Sequence, residues 1–163
     1  MTTLFISDLH LQEERPDITR AFFAFLHQKA AHASQLYILG DFLEVWIGDD
    51  AITPFQNDII DALNQLSHTC AIYFMHGNRD FLIGDHFANR ANLSLLNDPS
   101  VISLNGVSTL LTHGDFLCTA DTAYMQFRAM VRDPQWQAAF LAKPLEERIA
   151  IARELRDKSQ TET

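Results

Sequence analysis

The chain contains few cysteines and no long apolar run, and each shortage excludes a class of protein. Its two cysteines, Cys70 and Cys118, lack the spacing of a metal site and are too few for a disulfide framework. We therefore expect a reducing cytoplasmic environment, with both cysteines as small buried apolar side chains. No apolar stretch approaches the ~20 residues that a membrane-spanning helix needs. Asp8 and His10 interrupt the apolar start too early for a signal peptide.

Basic residues are also scarce, because the chain holds 12 Lys and Arg against 21 Asp and Glu, for a net charge of -9. A nucleic-acid partner needs a basic surface, so this composition argues against one. The acidic excess lies within residues 1–120, which hold 14 acids and 5 bases, whereas residues 121–163 hold 7 of each. Such a concentration of carboxylates favours cation binding in the first part of the chain.

Apolar runs alternate with helical patterns along the first part of the chain, and this alternation predicts an α/β fold. Short runs rich in aromatic and β-branched residues predict strands at 3–6, 35–39, 70–75 and 93–96. Apolar residues at helical spacing predict helices at 16–31, 53–66 and 85–91. Because strand–helix–strand order is typical of parallel strands with right-handed crossovers, we expect a parallel sheet.

Two further strands and three further helices are predicted beyond this point. Strands at 101–104 and 107–112 flank Asn105-Gly106, a strong two-residue hairpin signal. Helices are predicted at 121–132, 135–142 and 145–158, where Pro134 and Pro144 interrupt the pattern. A chain of 163 residues is long enough to bury one core. We divide it into a core of residues 1–120 and a helical lid of residues 121–163.

Polar residues follow four of the predicted strands, at Asp8 and His10, at Asp41, at Asn78 and at His113. The carboxyl ends of parallel strands form the ligand crevice of an open α/β sheet, so these side chains are expected to meet. Carboxylate, amide and imidazole groups suit hard or borderline divalent cations, and we favour Mn²⁺ over Fe, Co or Zn. Five such ligands around one shared carboxylate suit two cations ~3.5–4 Å apart. Each residue alone could instead be a loop cap or turn former.

The blocks Asp8-x-His10, Gly40-Asp41, Gly77-Asn78-Arg79-Asp80 and His113-Gly114-Asp115 resemble, in this order, the motifs of calcineurin-like metallophosphoesterases. The resemblance implies two packed sheets flanked by helices, the αββα arrangement. It also implies two Mn²⁺ ions, one held by Asp8, His10 and Asp41 and the other by Asp41, Asn78 and His113. Hydrolysis would then proceed by a hydroxide held between the two ions.

Arg79 stands where most of that superfamily has a His after the motif Asn. Together with the segments FISDLHL, YILGDFLEVWIGDD and GNRDFL, it resembles a family of pyrophosphohydrolases of lipid A biosynthesis. The resemblance implies a lipid-linked UDP-sugar substrate that is cleaved to UMP and a lipid-linked sugar phosphate. It implies peripheral association with the cytoplasmic face of the inner membrane, no nucleic-acid partner and no obligate protein partner. A guanidinium suits phosphate oxygens, although Arg79 could instead pair with Asp80 or Asp85 on the surface.

The helical lid offers an apolar surface that could hold acyl chains or could be ordinary core. The side chains concerned are Phe116, Tyr124, Phe127, Met130, Trp136 and Phe140. By resemblance, Asn78, Arg79 and Asp121 contact the substrate, and Ser159 lies on a matching substrate-contacting helix. The basic residues of the lid could favour an anionic substrate or membrane, or form a solvated face. These residues are Arg128, Arg132, Lys143, Arg148, Arg153, Arg156 and Lys158.

The resemblance also implies a Gly-His-x-His block and further strands, but no His follows His113 here. We therefore expect an enzyme whose chain is truncated at the C-terminus, with an incomplete sandwich. Alone, this chain would bind metal weakly and have little activity. A metallophosphoesterase acting on a soluble nucleotide or dinucleotide polyphosphate is the nearer alternative. A catalytically silent scaffold of the same fold is the more distant one.

Overall fold

A parallel sheet of four strands forms the centre of the computed structural model, which describes the backbone of residues 1–161 and the side chains of residues 1–157. Its strands are β1 (Thr3–Ile6), β2 (Gln35–Leu39), β3 (Ala71–Met75) and β4 (Ser94–Leu96), adjacent in that order. All three strand pairs are parallel. The helices between them are α1 (Pro16–Gln28), α2 (Pro54–Leu66) and α3 (Asp85–Ala91). The α/β class and the parallel sheet are as the sequence predicts.

The helices begin where the sequence supplies start signals. Pro16 opens α1, and Thr53 caps α2 in a capping box with Gln56. The apolar faces of both helices pack on the sheet through buried side chains at helical spacing, Phe22 and Leu26 among them. This face of the sheet forms the main core. Because the predicted apolar stripes are the buried ones, the periodicity identified these faces correctly.

The opposite face of the sheet is covered by an antiparallel hairpin of β5 (Ser100–Leu104) and β6 (Val107–Leu111). A smaller core of Tyr37, Met75 and Leu111 lies beneath the hairpin. Its turn residues Asn105 and Gly106 have φ values of 51° and 81°. Two successive positive φ angles match the hairpin turn that the sequence predicts. Helices α1, α2 and α3 therefore pack on one face of the four-stranded sheet, and the hairpin packs on the other.

One expectation about the cysteines is wrong. Cys70 is buried as predicted, but Cys118 is exposed. Cys118 follows a short 3-10 helix, Asp115–Leu117, on the way to the lid helices, and it lies in no strand or helix itself. A loop position of this kind does not present its side chain to the core.

The lid consists of three helices, α4 (Thr122–Arg132), α5 (Pro134–Leu141) and α6 (Leu145–Thr161). Ion pairs attach two of them to the core. Arg128 of α4 donates to Asp115 at 2.9 Å, and Arg148 of α6 donates to both carboxylate oxygens of Asp50 at 2.8 and 2.9 Å. Since these arginines are partners of core residues, they form neither a solvated face nor a membrane-facing one. None of the helices in the described part of the chain is both long and apolar enough to cross a membrane.

Replacing Arg148 by Met is expected to lower the free energy of unfolding by about 1–3 kcal/mol, because three hydrogen bonds to Ile47 and Asp50 are lost. The measurement is urea unfolding. Arg153→Met, at an exposed position of the same helix, is the matched control and is expected to change little. Equal effects of the two variants would contradict a specific attachment of α6 through Arg148.

Candidate metal centre and the adjoining cavity

The segments that follow β1 and β2 lie side by side and bring the first three predicted ligands together. The N–H of Asp8 donates to the carbonyl of Gly40 at 3.0 Å, and the N–H of His10 donates to that of Asp41 at 2.9 Å. Asp8, His10 and Asp41 have φ values of 58°, 48° and 51°. Non-glycine residues in this left-handed region are uncommon and concentrate at functional sites. Left-handed turns therefore orient Asp8 and His10.

Asp41 occupies the middle of the cluster, and its two carboxylate oxygens have different partners. Oδ1 accepts hydrogen bonds from the N–H groups of Asn78 and Arg79 at 2.7 and 3.0 Å. Oδ2 lies 3.4 Å from Nε2 of His113 and 3.8 Å from Nε2 of His10. One oxygen is therefore held by the backbone, while the other faces two imidazole nitrogens. This is the position that a carboxylate shared by two cations would need.

The ligand atoms fit a divalent cation. One ligand atom each from Asp8, Asp41 and His113 lies within 4.8 Å of the other two. Carboxylate and imidazole donors match Mn²⁺, Fe²⁺ and Zn²⁺, and no thiolate takes part. Asn78 adjoins the cluster through its N–H on Asp41. The structure thus brings the other four predicted ligands around Asp41, from three further segments of the chain.

His113 is oriented by its second ring nitrogen. Nδ1 lies 2.8 Å from the carbonyl oxygen of Leu39 and donates to it, so Nε2 is directed at Asp41. Ligating histidines are commonly held in this way by a backbone carbonyl. Burial by itself lowers the pKa of His113, but the Asp41 carboxylate and the Leu39 carbonyl raise it to about 9.

Two glycines allow the loops to approach one another. A Cβ on Gly40 would lie 2.5 Å from Nδ1 of His113, and a Cβ on Gly77 would collide with the backbone N and Oδ1 of Asp41. Both distances are far shorter than van der Waals contact. Glycine at these positions is therefore required by the close packing of the ligand loops.

The sequence suggests Asp80 only as a surface partner for Arg79. This interpretation is wrong, because Asp80 does not lie on the surface. Its side chain is fully buried. One oxygen accepts from the N–H groups of Asp41 and Gly77, and the other from those of Phe42 and Leu43, at 2.8 to 3.3 Å. Burial raises the pKa of Asp80, and these backbone donors oppose the rise. Asp80 thus joins the two loops that carry Asp41 and Asn78.

Arg79 pairs with neither Asp80 nor Asp85. Its Nε lies 3.4 Å from Oε1 of Glu44, a residue to which the sequence assigned no role. Glu44 also lies near His10, whose pKa it raises, while burial opposes the rise and Asp41 adds to it. The motif segment from Asp41 to Asp50 contains Glu44, and that is the one signal that could have identified it.

A cavity of about 480 Å³ opens beside the cluster, between the core and the lid. Three residues predicted to contact substrate, Asn78, Arg79 and Asp121, line it. The side chain of Ser159 lies outside the described residues. The remaining lining is mostly apolar and includes Val45, Trp46, Phe81, Leu82, Phe127, Met130, Phe140 and Leu155. The cavity therefore combines a polar end at the metal cluster with an apolar wall.

The aromatic residues of the lid divide between cavity and core. Tyr124, Phe127, Met130 and Phe140 line the cavity. Trp136 stacks on Phe140 with ring centroids 5.3 Å apart and packs against the main core. Part of this apolar surface is therefore ordinary core, and part of it faces the cavity.

Tyr124 connects the lid to the metal cluster, a role that the sequence did not indicate. Its hydroxyl lies 2.5 Å from Oδ1 of Asn78 and 2.8 Å from Oδ2 of Asp115. Arg128 donates to the same Asp115 oxygen at 2.9 Å. Burial of the hydroxyl makes the largest contribution to a raised pKa of Tyr124, and the neighbouring Asp115 carboxylate raises this pKa further. The neutral hydroxyl has one hydrogen, which it donates to one of these two oxygens at a time.

Comparison with known proteins agrees with this geometry. The family model described as calcineurin-like phosphoesterase matches residues 1–153. UDP-2,3-diacylglucosamine hydrolases of Marinobacter nauticus, Chromohalobacter salexigens and Pseudomonas putida KT2440 are 56%, 53% and 57% identical to this chain over 160 residues, or 98% of it. The matches cover 66%, 65% and 67% of the relatives' own lengths. The chain therefore spans about two thirds of the length of these curated relatives.

Proposed function

The chain belongs to the calcineurin-like phosphoesterase family, and we propose that it hydrolyses the pyrophosphate bond of UDP-2,3-diacylglucosamine. The products are UMP and 2,3-diacylglucosamine 1-phosphate, an intermediate of lipid A biosynthesis. The observation that carries the proposal is the cluster around Asp41, which adjoins a cavity of about 480 Å³ with an apolar wall. The names of the relatives, which share more than half of their aligned residues with this chain, support the same substrate.

Two divalent cations, Mn²⁺ in this proposal, belong in the cluster. Asp8, His10 and Asp41 would hold one, and Asp41, Asn78 and His113 the other. When bound, the cations would supply charge neutralisation for the phosphoryl oxygens and a lowered pKa for water. The hydrogen bonds that Asn78 and Arg79 donate to Oδ1 of Asp41 keep Oδ2 directed into the cluster.

In this proposal, the residues that line the cavity bind the phosphoryl groups, the sugar and the acyl chains. Arg79 offers paired donors to the phosphoryl oxygens, on which charge shifts during cleavage. The leaving group is a phosphomonoester with a second pKa of ~6, so it departs without a strong proton donor. Asp121 faces the same cavity and would bind the sugar. Phe127, Met130 and the other apolar lining residues would contact the acyl chains.

The lipid-linked substrate places the protein at a membrane surface in this proposal. We expect peripheral association with the cytoplasmic face of the inner membrane, with no nucleic-acid partner and no obligate protein partner. The net charge of -9 supports the exclusion of nucleic acid.

The test is Mn²⁺-dependent release of UMP from UDP-2,3-diacylglucosamine, with the Pseudomonas putida relative as positive control. Selectivity is the decisive readout. The diacylated substrate should be cleaved in preference to a soluble dinucleotide polyphosphate. The lipid-linked product should also raise the melting temperature of the Mn²⁺-loaded protein more than UMP does, since binding to the folded state stabilises it.

Two results would contradict this assignment. Faster cleavage of the soluble dinucleotide, with no effect of the acyl chains, would favour a soluble nucleotide substrate. Absence of both cleavage and product binding in metal-loaded, folded protein would favour the silent scaffold.

A further inference from the structure

A carboxylate, Glu44, lines the cavity beside the metal cluster although the proposed substrate carries a negatively charged pyrophosphate. Its side chain is only 12% exposed. A carboxylate at such a place repels phosphate unless nearby cations neutralise it. One oxygen lies near His10, a proposed metal ligand, and the other lies near Arg79, which is proposed to bind the phosphoryl group.

The first partner is His10. Oε2 of Glu44 lies 3.8 Å from Nδ1 of His10, and Nε2 of the same ring lies 3.8 Å from Oδ2 of Asp41. The imidazole therefore stands between two carboxylates, one at each ring nitrogen. Gln12 donates to Oε2 at 3.3 Å and holds it in place. A ligating histidine is commonly oriented by a carboxylate on its other nitrogen, which fixes the tautomer.

The second partner is Arg79. Oε1 of Glu44 lies 3.4 Å from Nε of the guanidinium. Because the pair uses Nε, the two terminal nitrogens are left for phosphoryl oxygens. The side chain of Arg79 is 18% exposed. Glu44 therefore limits the directions in which the guanidinium can point.

The backbone sets the position of Glu44 relative to both ligand loops. Its N–H donates to the carbonyl of Leu11 at 3.1 Å, and Leu11 forms a parallel bridge with Leu43. The segment that carries Glu44 is thus paired with the segment that carries His10. The pairing of the two backbone segments therefore places the side chains of Glu44 and His10 next to each other.

We propose that Glu44 is a positioning residue that holds His10 and Arg79 in their working orientations, one through each carboxylate oxygen. Its effect on His10 selects the tautomer whose Nε2 is free to bind the cation. Its effect on Arg79 directs the terminal nitrogens at the phosphoryl group. The Arg79 part rests on the proposed function, whereas the His10 part requires only that His10 binds a metal.

The test compares Glu44→Gln and Glu44→Ala with Glu13→Gln, a change at an exposed acid of the neighbouring loop. A Gln side chain has an NH₂ donor in place of one carboxylate oxygen, so one of the two positions that face His10 and Arg79 no longer accepts. We expect both Glu44 variants to weaken Mn²⁺ binding, measured by electron paramagnetic resonance titration, by ~10–100-fold. In Zn²⁺-loaded protein, NMR should show that the Nδ1–H proton of His10 exchanges faster with water in Glu44→Ala, because it has lost the neighbouring carboxylate. The control should match the unsubstituted protein.

Inorganic phosphate is the probe for the second contact. Glu44→Ala and Arg79→Ala should each weaken the binding of phosphate to the Mn²⁺-loaded protein. In the double variant, the loss of binding free energy should be smaller than the sum of the losses in the two single variants. A purely structural role would lower the free energy of unfolding with no change in Mn²⁺ affinity, in exchange of the His10 Nδ1–H proton or in the phosphate coupling, and it would overturn the inference. If the proposed substrate is wrong, UMP release fails while the effects on Mn²⁺ affinity and on proton exchange remain.

Discussion

Replacing Asp41 by Asn is expected to abolish metal-dependent hydrolysis while leaving the chain folded. The amide oxygen of Asn can still accept the N–H groups of Asn78 and Arg79, so the loop keeps its hydrogen bonds. The NH₂ group would face His10 and His113, where Oδ2 now lies. A donor there cannot bind a cation, and both proposed metal positions would lose the shared ligand. The expected loss of activity is at least ~10³-fold, or about 4 kcal/mol in the activation barrier.

Three measurements check this result. Release of UMP reports activity, Mn²⁺ titration followed by electron paramagnetic resonance reports binding, and circular dichroism reports the fold. Asp58→Asn, on the exposed face of α2, is the matched control and should bind Mn²⁺ as the unsubstituted chain does. Mn²⁺ binding by Asp41→Asn with unchanged affinity would show that Asp41 is not a shared ligand.

Replacing Asp80 by Ala is expected to lower the free energy of unfolding by about 3 kcal/mol or more, because buried backbone N–H groups lose their acceptor. The donors concerned belong to Asp41, Phe42, Leu43 and Gly77. The loops that carry Asp41 and Asn78 should then separate. Urea unfolding measures the first effect, and loss of Mn²⁺ affinity reports the second.

Asp61→Ala is the matched control for this variant. Asp61 pairs with Arg90 at 3.6 Å, and its side chain is 73% exposed. An exposed ion pair contributes about 0–1 kcal/mol, so the control should change the free energy of unfolding much less. Similar losses in Asp61→Ala and Asp80→Ala would contradict the role assigned to Asp80 in joining the loops.

Much of the fold follows from local patterns in the sequence. The apolar stripes of α1 and α2, the capping box at Thr53 and the turn at Asn105-Gly106 are each encoded within a few residues. Parallel pairing then follows from the strand–helix–strand order. Cys118 was assigned wrongly because the burial of a loop residue depends on what packs against the loop, and composition does not encode that contact.

The sequence by itself determined which donor groups stand at the ends of the strands. It placed a carboxylate, an imidazole or an amide after each of four apolar runs, and these types suit divalent cations. Only the tertiary structure decided how they meet. Left-handed turns at Asp8, His10 and Asp41 orient the ligands. Such turns leave no trace in the two-residue period of strands or in the 3.6-residue period of helices.

The partners of the residues that support the site likewise depend on the tertiary structure. Glu44 meets Arg79, Asp80 meets the N–H of Asp41, and Arg148 meets Asp50, across separations of 35, 39 and 98 residues. An acid or an arginine in a loop has the same local pattern whether it is solvated or paired. Its partner is chosen by the packing of loops and lid on the sheet, because a hydrogen bond or ion pair forms only within a few ångströms.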